Sequence, residues 1–309
     1  MKVSIVTSAY NEEGNVEEFY RRVTAAMATL PELDYEIVFA DNASTDKTAE
    51  IAKRICEKDG RFKLIVNARN FGQVRSPTNA MYAASGEAVV SLVSDLQDPP
   101  ERIPDLLRLW MGGAKIVVAV READPSGSMM SRIRDVYYAT MDAIGDVPAI
   151  RRFTGFGVYD RQVVDLIKNV GDPEPYVRGL VSEIGLPIAR VVYEQQRRVA
   201  GFSKNRFLSL FDMAMLGVTS MSKAPLRVMT LGGAALSALS LMVATFYLVA
   251  KLFAWDWFPA GVAPTMVMVL VLGSFQILCL GLIGEYIAAI HAKLQNRPMV
   301  VELERKNFD

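Results

Sequence analysis

Three short stretches carry side chains whose types and spacing suit chemistry on a phosphate. They are Ser8-Ala9-Tyr10-Asn11-Glu12-Glu13, Asp41-Asn42-Ala43-Ser44-Thr45-Asp46 and Ser94-Asp95-Leu96-Gln97-Asp98, and each begins where an apolar run ends. Asp95 and Gln97, a carboxylate and an amide two residues apart, are hard oxygen ligands of the kind Mg2+ or Mn2+ takes, with phosphate oxygens completing the shell. That pairing points to a nucleoside diphosphate. Each stretch also has a purely structural use: Asn11 or Asn15 as cap of a first helix, Ser44 as cap of a second, and Asp98-Pro99-Pro100-Glu101 as a near capping box with proline at the first helical position. For Asp98 a cap is the expected use, whereas Asp95 precedes the helix start and has no such duty. There is no GxGxxG after the first apolar run and no GxxxxGK anywhere, so dehydrogenase and NTPase readings lose their main support.

The elements that must position these residues follow from the periodicity. Strand-like runs at 3–7, 36–40, 63–66, 88–93 and 116–120 alternate with helical patterns at 16–30, 47–58, 77–84 and 101–111. Such alternation predicts crossover units around a mostly parallel sheet with helices on both faces. In sheets of this kind the ligand crevice lies beyond the carboxyl ends of the strands, where all three stretches fall.

Composition adds a second part. Of the 309 residues 51% are hydrophobic, formal charge is zero, and basic residues form no long run, so nothing in the balance points to nucleic acid. The two cysteines, Cys56 and Cys279, are far apart and form neither a disulfide frame nor a zinc spacing. The N-terminus runs straight into a strand without the zones of a signal peptide, so the first domain is expected to stay where it is made. Residues 228–250 and 257–284 are free of charge, and each run is long enough to cross a bilayer core. Lys204, Arg206, Lys223 and Arg227 precede the first run, His291, Lys293, Arg297, Arg305 and Lys306 follow the second, and only Lys251 lies between; the positive-inside rule then puts both ends in the cytoplasm. The expected division is 1–204 for the sheet domain, 205–225 for an amphipathic interfacial helix, 226–291 for two transmembrane helices and 292–309 for a cytoplasmic tail.

The motifs also carry a resemblance. Tyr10-Asn11-Glu12-Glu13, Asp41 through Thr48, Arg69-Asn70-Phe71-Gly72, Asp95 through Glu101, Tyr159-Asp160-Arg161, Arg178-Gly179-Leu180 and Ala200-Gly201-Phe202-Ser203-Lys204 stand in an order that resembles family 2 glycosyltransferases of the inverting GT-A type. The pattern is most like the polyprenyl-phosphate glycosyltransferases, with dolichol-phosphate mannose synthase beside them, and it extends through Pro225-Leu226-Arg227 and both apolar runs. The resemblance implies a GT-A, Rossmann-like sheet followed by a transmembrane hairpin in the inner (plasma) membrane, and transfer of a sugar from a nucleoside-diphosphate sugar to a polyprenyl phosphate of the undecaprenyl type. It implies that Tyr10, Glu12, Asp41 and Asn42 hold the nucleoside, that Asp95 and Gln97 bind Mg2+ or Mn2+, that Asp95 and Asp98 are catalytic, and that Arg121, Arg198 and Lys204 meet phosphates. It implies a homo-oligomer as well, with membrane lipid and no nucleic acid among the partners.

Departures from the family pattern mark two acids as missing. Val93 stands where the family has the first acid of Asp-x-Asp, and Gly155 stands where an acid often given the role of base is common; Gln195 and Asn205 replace a common arginine and tyrosine. An active enzyme is nevertheless expected, since a phosphate monoester has a second pKa of about 6 and is already anionic near neutrality, leaving a general base little proton to remove. A catalytically silent nucleotide-sugar-binding scaffold is the competing expectation. A processive polysaccharide synthase is disfavoured by having only two apolar runs and no Gln-x-x-Arg-Trp.

Overall fold

The first strand, β1 (Lys2–Ala9), is an apolar run whose side chains divide between two cores, and the chain that follows repeats the strand and helix pattern around it. The structure, a computed structural model, describes residues 1–122, 150–196, 224–253, 262–294 and 298–308. Arg198, Lys204 and nearly all of the expected interfacial helix lie outside these residues. After β1 come α1 (Val16–Met27), β2 (Asp34–Asp41), α2 (Thr48–Lys58), β3 (Phe62–Asn67), α3 (Gly72–Ala83), β4 (Ala88–Ser91), a 3-10 turn at Pro100–Arg102, α4 (Ile103–Met111) and β5 (Ile116–Arg121). Then follow β6 (Phe153–Asp160), α5 (Arg161–Asn169), α6 (Val177–Glu183), β7 (Ile188–Tyr193), two long helices α7 (Ala224–Phe253) and α8 (Val262–Leu294), and β8 (Glu302–Lys306).

The strands form one eight-stranded sheet in the order β7-β5-β6-β4-β1-β2-β3-β8. Pairings β1–β2, β1–β4, β2–β3 and β5–β7 are parallel, while β4–β6, β5–β6 and β3–β8 are antiparallel. This is the expected mostly parallel α/β sheet. Buried positions of α1 recur at Val16, Phe19, Val23, Ala26 and Met27, the spacing of one helix face. With α2 and α4 that face packs over Val3, Ile5, Ile37 and Phe39, whereas residues of α3, α5 and α6 join Val6, Val38, Ile65 and Val89 in a second core on the other side. The change of side takes place after β3, so strand order reverses between β1 and β4, and that reversal opens a crevice at their carboxyl ends.

At the opposite, amino end of the sheet a buried carboxylate ties strands together. Glu36 is 1% exposed and accepts from Ser4 Oγ at 2.6 Å and Ser85 N at 2.7 Å, with Lys2 Nζ at 2.7 Å and Lys63 Nζ at 3.0 Å. Burial opposes its charge, but these partners outweigh burial and bring its pKa down to about 2.

The fold corrects three sequence expectations. β4 ends at Ser91 and not at 93: Leu92 N still reaches Val6 O at 3.2 Å, but Ser8 O is taken by the Ser94 hydroxyl at 3.1 Å and Val93 turns out, 41% exposed. α3 starts at Gly72, five residues before Pro77, which it carries inside. The tail 292–309 is no appendage, because Glu302–Lys306 returns to the sheet as its edge strand. Of the two expected spans, the described residues contain one stretch long and apolar enough to cross a membrane, Val271–Ala288 in α8, while α7 holds the shorter apolar run Val228–Val243.

Candidate active site

The loops after β1 and β2 are stitched to each other at the carboxyl edge. Asn42 N donates to Ala9 O at 2.8 Å, Asn11 N to Ser44 Oγ at 2.9 Å, Thr45 N to Asn11 Oδ1 at 2.7 Å and Glu12 N to Thr48 Oγ1 at 2.8 Å. Glu12 also accepts from Asn15 Nδ2 at 2.5 Å. Ser44 therefore does not cap α2. Asp46, one residue before the N-cap Lys47, meets the helix start, its Oδ1 accepting from Thr48 N at 3.0 Å and Thr48 Oγ1 at 2.6 Å. Nor does Asn11 or Asn15 cap α1 through its side chain; Asn11 instead takes a left-handed backbone, φ 53°, which asparagine tolerates, and turns the chain toward the second loop.

Asp41 and Asn42 end β2 with different fates. Asn42 is spent inside the protein: its amide nitrogen donates to Asn70 Oδ1 at 2.9 Å and Gly72 O at 3.2 Å, and its oxygen accepts from Asn67 Nδ2 at 3.1 Å and Phe71 N at 2.9 Å. It anchors the turn into α3. Asp41 uses Oδ2 to accept from Ser44 N at 3.1 Å, while its Oδ1, buried, meets no hydrogen-bond donor. Burial raises its pKa, with nearby Asp46 adding to the effect. An acceptor left open at the end of a central strand is suited to a ligand's N–H.

The loop after β4 is held in a tight turn. Leu96, fully buried, has φ 61°, a left-handed conformation that costs a branched side chain about 1–2 kcal/mol. Asp95 Oδ1 accepts from Gln97 N at 3.1 Å and so draws both expected metal ligands to one turn. Gln97 is gripped from β7's exit, its Oε1 accepting from Gln195 Nε2 at 2.8 Å and its carbonyl from Gln196 N at 3.0 Å. Arg22 of α1 secures that exit, with 2.6 and 2.5 Å contacts to Glu101 and 2.8 Å to Gln196 Oε1. Beside this turn an open cleft is lined by Pro99, Glu101, Arg102, Glu194, Gln195 and Gln196.

Asp98 departs from its expected use as a cap. It is no cap, since the 3-10 turn begins from Pro99 without a side-chain bond. Fully buried, it accepts from Arg121 Nη2 at 3.3 Å, from Thr154 Oγ1 at 3.1 Å and from the Tyr193 hydroxyl, and Arg121 Nε in turn donates to Tyr193 Oη at 3.2 Å. Tyr193 packs edge-on against Phe156 with ring centroids 5.7 Å apart. Burial and then the Asp98 charge push the tyrosine's pKa up to about 12. Arg121 is disfavoured as a cation by burial, but the facing Asp98 more than offsets this and raises its pKa. Asp98 thus holds Arg121 in place from inside the protein.

Comparison with known proteins decides the family. The family model described as "Glycosyl transferase family 2" matches residues 4–165, and the one described as "GtrB C-terminal hairpin" matches residues 224–290. The chain is 32% identical over 304 residues to the SfII prophage-derived bactoprenol glucosyl transferase of Shigella flexneri, covering 97% of each chain. This chain is a family 2 glycosyltransferase. It is also 32% identical over 302 residues to the uncharacterized glycosyltransferase YkcC of Bacillus subtilis, covering 97% of this chain and 93% of that one. Among solved structures, the mannosyltransferase PcManGT from Pyrobaculum calidifontis has a TM-score of 0.47 at 18% identity, covering 96% of this chain and 87% of its own.

For a glycosyltransferase the donor set at the β4 turn fits a divalent cation. One half-buried carboxylate and one amide oxygen are hard ligands, and a nucleotide's phosphates would supply the rest. Among the described residues no three His, Cys, Asp or Glu side chains cluster as a self-sufficient metal site. Gly155 has φ 104°, a conformation that favours glycine, although a Cβ there would meet nothing within 4 Å. Tyr159-Asp160-Arg161 turns out to be structural. Asp160 caps α5 by accepting from Gln162 N at 3.1 Å, and Arg161 Nη2 bonds Ala84 O and Gly86 O at 2.8 and 2.6 Å, fastening β6 to the entry of β4. Sequence reasoning did not find Tyr193, Thr154 or Asn67. Their partners, Asp98, Asn42 and Ser76, are distant in sequence or on another element, so no local spacing announces them.

Proposed function

We propose that this glycosyltransferase moves a sugar from a nucleoside-diphosphate donor to a polyprenyl phosphate, with inversion at the anomeric carbon, at the cytoplasmic face of a membrane that its two long helices cross. The observation that carries the reading is the pairing, on one chain, of a family 2 domain with a GtrB C-terminal hairpin, matched end to end by a relative named for bactoprenol glucosyl transfer. The basic residues flanking the apolar runs support the cytoplasmic orientation.

In this reading Tyr10 and Glu12 line the nucleoside site and the open oxygen of Asp41 accepts from the base. Asp95 and Gln97 hold Mg2+ or Mn2+, and such an ion supplies positive charge against the diphosphate as it departs. Arg121, kept in place by Asp98 and Tyr193, offers its remaining N–H groups to a phosphate, and Arg198 and Lys204 add to the same charge. An acceptor phosphate oxygen forms a bond to the anomeric carbon as the bond from that carbon to the diphosphate breaks. The nucleophile is already anionic near neutrality, because its second pKa is about 6. No acid is then required at position 155, which accounts for an active enzyme with glycine there. Alignment of the two phosphates and neutralisation of the leaving charge carry the rate.

The test is transfer from a panel of labelled nucleotide sugars to undecaprenyl phosphate, with magnesium, manganese or EDTA present, alongside Asp95→Asn. Label in the lipid fraction that EDTA and Asp95→Asn abolish is the expected result. Tight donor binding without transfer by any donor would favour a silent nucleotide-sugar scaffold instead.

A further inference from the structure

An amide that serves as a metal ligand must be oriented, and a carboxylate need not be. A carboxylate offers an oxygen whichever way its end turns, whereas an amide offers an oxygen on one side and an NH2 on the other, and a hard cation takes only the oxygen. Of the two ligands expected at the β4 turn, Asp95 is the acid and Gln97 the amide. Asp98, the next acid along, faces Arg121 inside the protein, and Val93, two residues before Asp95, is 41% exposed and apolar. With so few oxygens at the turn, binding of an ion depends on which end of the Gln97 amide meets it.

The backbone of Gln97 is already fixed. Its N–H donates to Asp95 Oδ1 at 3.1 Å, its carbonyl accepts from Gln196 N at 3.0 Å, and Leu96 before it is fully buried in a left-handed conformation. What remains free is the side chain, and a flexible ligand that must be ordered as it binds loses affinity. Among the described residues the hydrogen-bond partner of that amide is Gln195, whose Nε2 donates to Gln97 Oε1 at 2.8 Å. A donor can meet only the oxygen, so this contact decides which end of the amide is which, and the oxygen keeps a second lone pair for an ion.

Gln195 is held in its turn. Arg22 donates to Gln196 Oε1 at 2.8 Å and to Glu101 at 2.6 and 2.5 Å, which ties the exit of β7 to α1 and to the 3-10 turn. Two residues before Gln195, Tyr193 is buried and donates to Asp98. The end of β7 therefore presents two groups to two neighbouring residues of the β4 turn, Tyr193 to Asp98 and Gln195 to Gln97.

We propose that Gln195 is a positioning residue for the metal site: the hydrogen bond it donates turns the Gln97 amide so that the oxygen, and not the nitrogen, meets the divalent cation. The inference rests on the reading of Asp95 and Gln97 as metal ligands, and it gives an exposed glutamine a part in the reaction.

The test is Mn2+ uptake by the full-length chain in detergent micelles, read from loss of the free-ion EPR signal with UDP or GDP present and a nucleotide-only blank. The unmodified protein is compared with Gln195→Leu, with Gln97→Glu and with the two combined. Gln195→Leu keeps the bulk and removes the donor, so it should raise the dissociation constant for Mn2+ by about tenfold or more, the effect of losing a group that orients a metal ligand. The urea midpoint should stay where it is, because the contact lies at the surface. Gln97→Glu has an oxygen at either end and should bind Mn2+ at least as tightly as the unmodified protein. On that background Gln195→Leu should change the constant by less than about twofold. An unchanged constant in Gln195→Leu, or loss of uptake in Gln97→Glu alone, would overturn the proposal. So would an equal fall in affinity on both backgrounds, since a merely structural contact does not depend on what stands at position 97. Unmodified protein that takes up no Mn2+ above the blank, or an Asp95→Asn variant that takes up as much, would defeat the assignment of the ion to this turn, and the positioning role falls with it.

Discussion

Asp98 illustrates how a residue that reads as a local cap serves a distant partner. Its charge is matched by Arg121 inside the protein, and removing one half of such a pair leaves the other buried and uncompensated. Asp98→Asn is expected to cost about 3 kcal/mol in chemical denaturation, and to raise KM for the donor more than it lowers kcat, because Arg121 loses its fixed position. Tyr193→Phe, which removes one donor to that carboxylate, should cost about 2 kcal/mol. If both variants unfold at the wild-type denaturant concentration, the buried network is not what holds Arg121. Gly155 carries a different expectation. Restoring an acid with Gly155→Asp places a side chain at φ 104°, so it should lower stability by about 1–2 kcal/mol and, under the proposed mechanism, give no gain in transfer rate. A faster enzyme would show that a proton must be removed after all. At this scale the sequence showed which residue types stand at the strand ends, and it could not show which are consumed internally: Asn42 and Asp41 are neighbours, yet one is fully bonded and the other keeps an open oxygen.

Elements were legible in proportion to how much apolar pattern they carry. The strands β1, β2, β3 and β5 are buried runs and stand out, with boundaries displaced by at most two residues. β8 is Glu-Leu-Glu-Arg-Lys, with its one apolar residue, Leu303, 71% exposed, so nothing in it reads as a strand. Charge of that kind suits an edge, where it blocks pairing with another chain. β6 is interrupted by Gly155 and Gly157, and the second of these is a packing requirement: a Cβ on Gly157 would lie 2.5 Å from Val117 O on β5. The amino-end knot around Glu36 joins β1, β2, β3 and the entry to β4, and its stabilising effect should depend on pH. Its folded pKa of about 2 lies below the ordinary glutamate value, so the contribution is fully present above about pH 5 and is lost as pH falls from there toward 2. The expected loss is about 3 kcal/mol over that window. Urea midpoints between pH 6 and pH 3 should fall less steeply for Glu36→Gln, which is already destabilised at pH 6, than for the wild type; parallel curves would mean that the knot is not a titrating element.

For the whole molecule, the sheet is continuous in space and interrupted in sequence. Its first seven strands precede the hairpin and its eighth follows it, so a domain boundary near residue 204 divides what the fold keeps together. Sequence reasoning drew that boundary because the apolar runs are the strongest signal in the chain and the charged segment after them resembles a tail. The physical consequence concerns β3. Without β8 its outer edge would present unpaired N–H and C=O groups beside Phe62, Leu64 and Ile65, which is a template for association. The second core would also lose Phe308, and Lys53, Asn79 and Lys63 would lose their contacts with Glu304, Glu302 and the Phe308 ring. A chain ending at residue 223 is therefore expected to aggregate even though it lacks every apolar residue of the hairpin. Joining residues 298–309 to it through a flexible linker should return a monodisperse protein that still binds the nucleotide donor. Size-exclusion chromatography of the two forms separates the possibilities, and a well-behaved monomer from the shorter chain would mean that β3 tolerates an open edge.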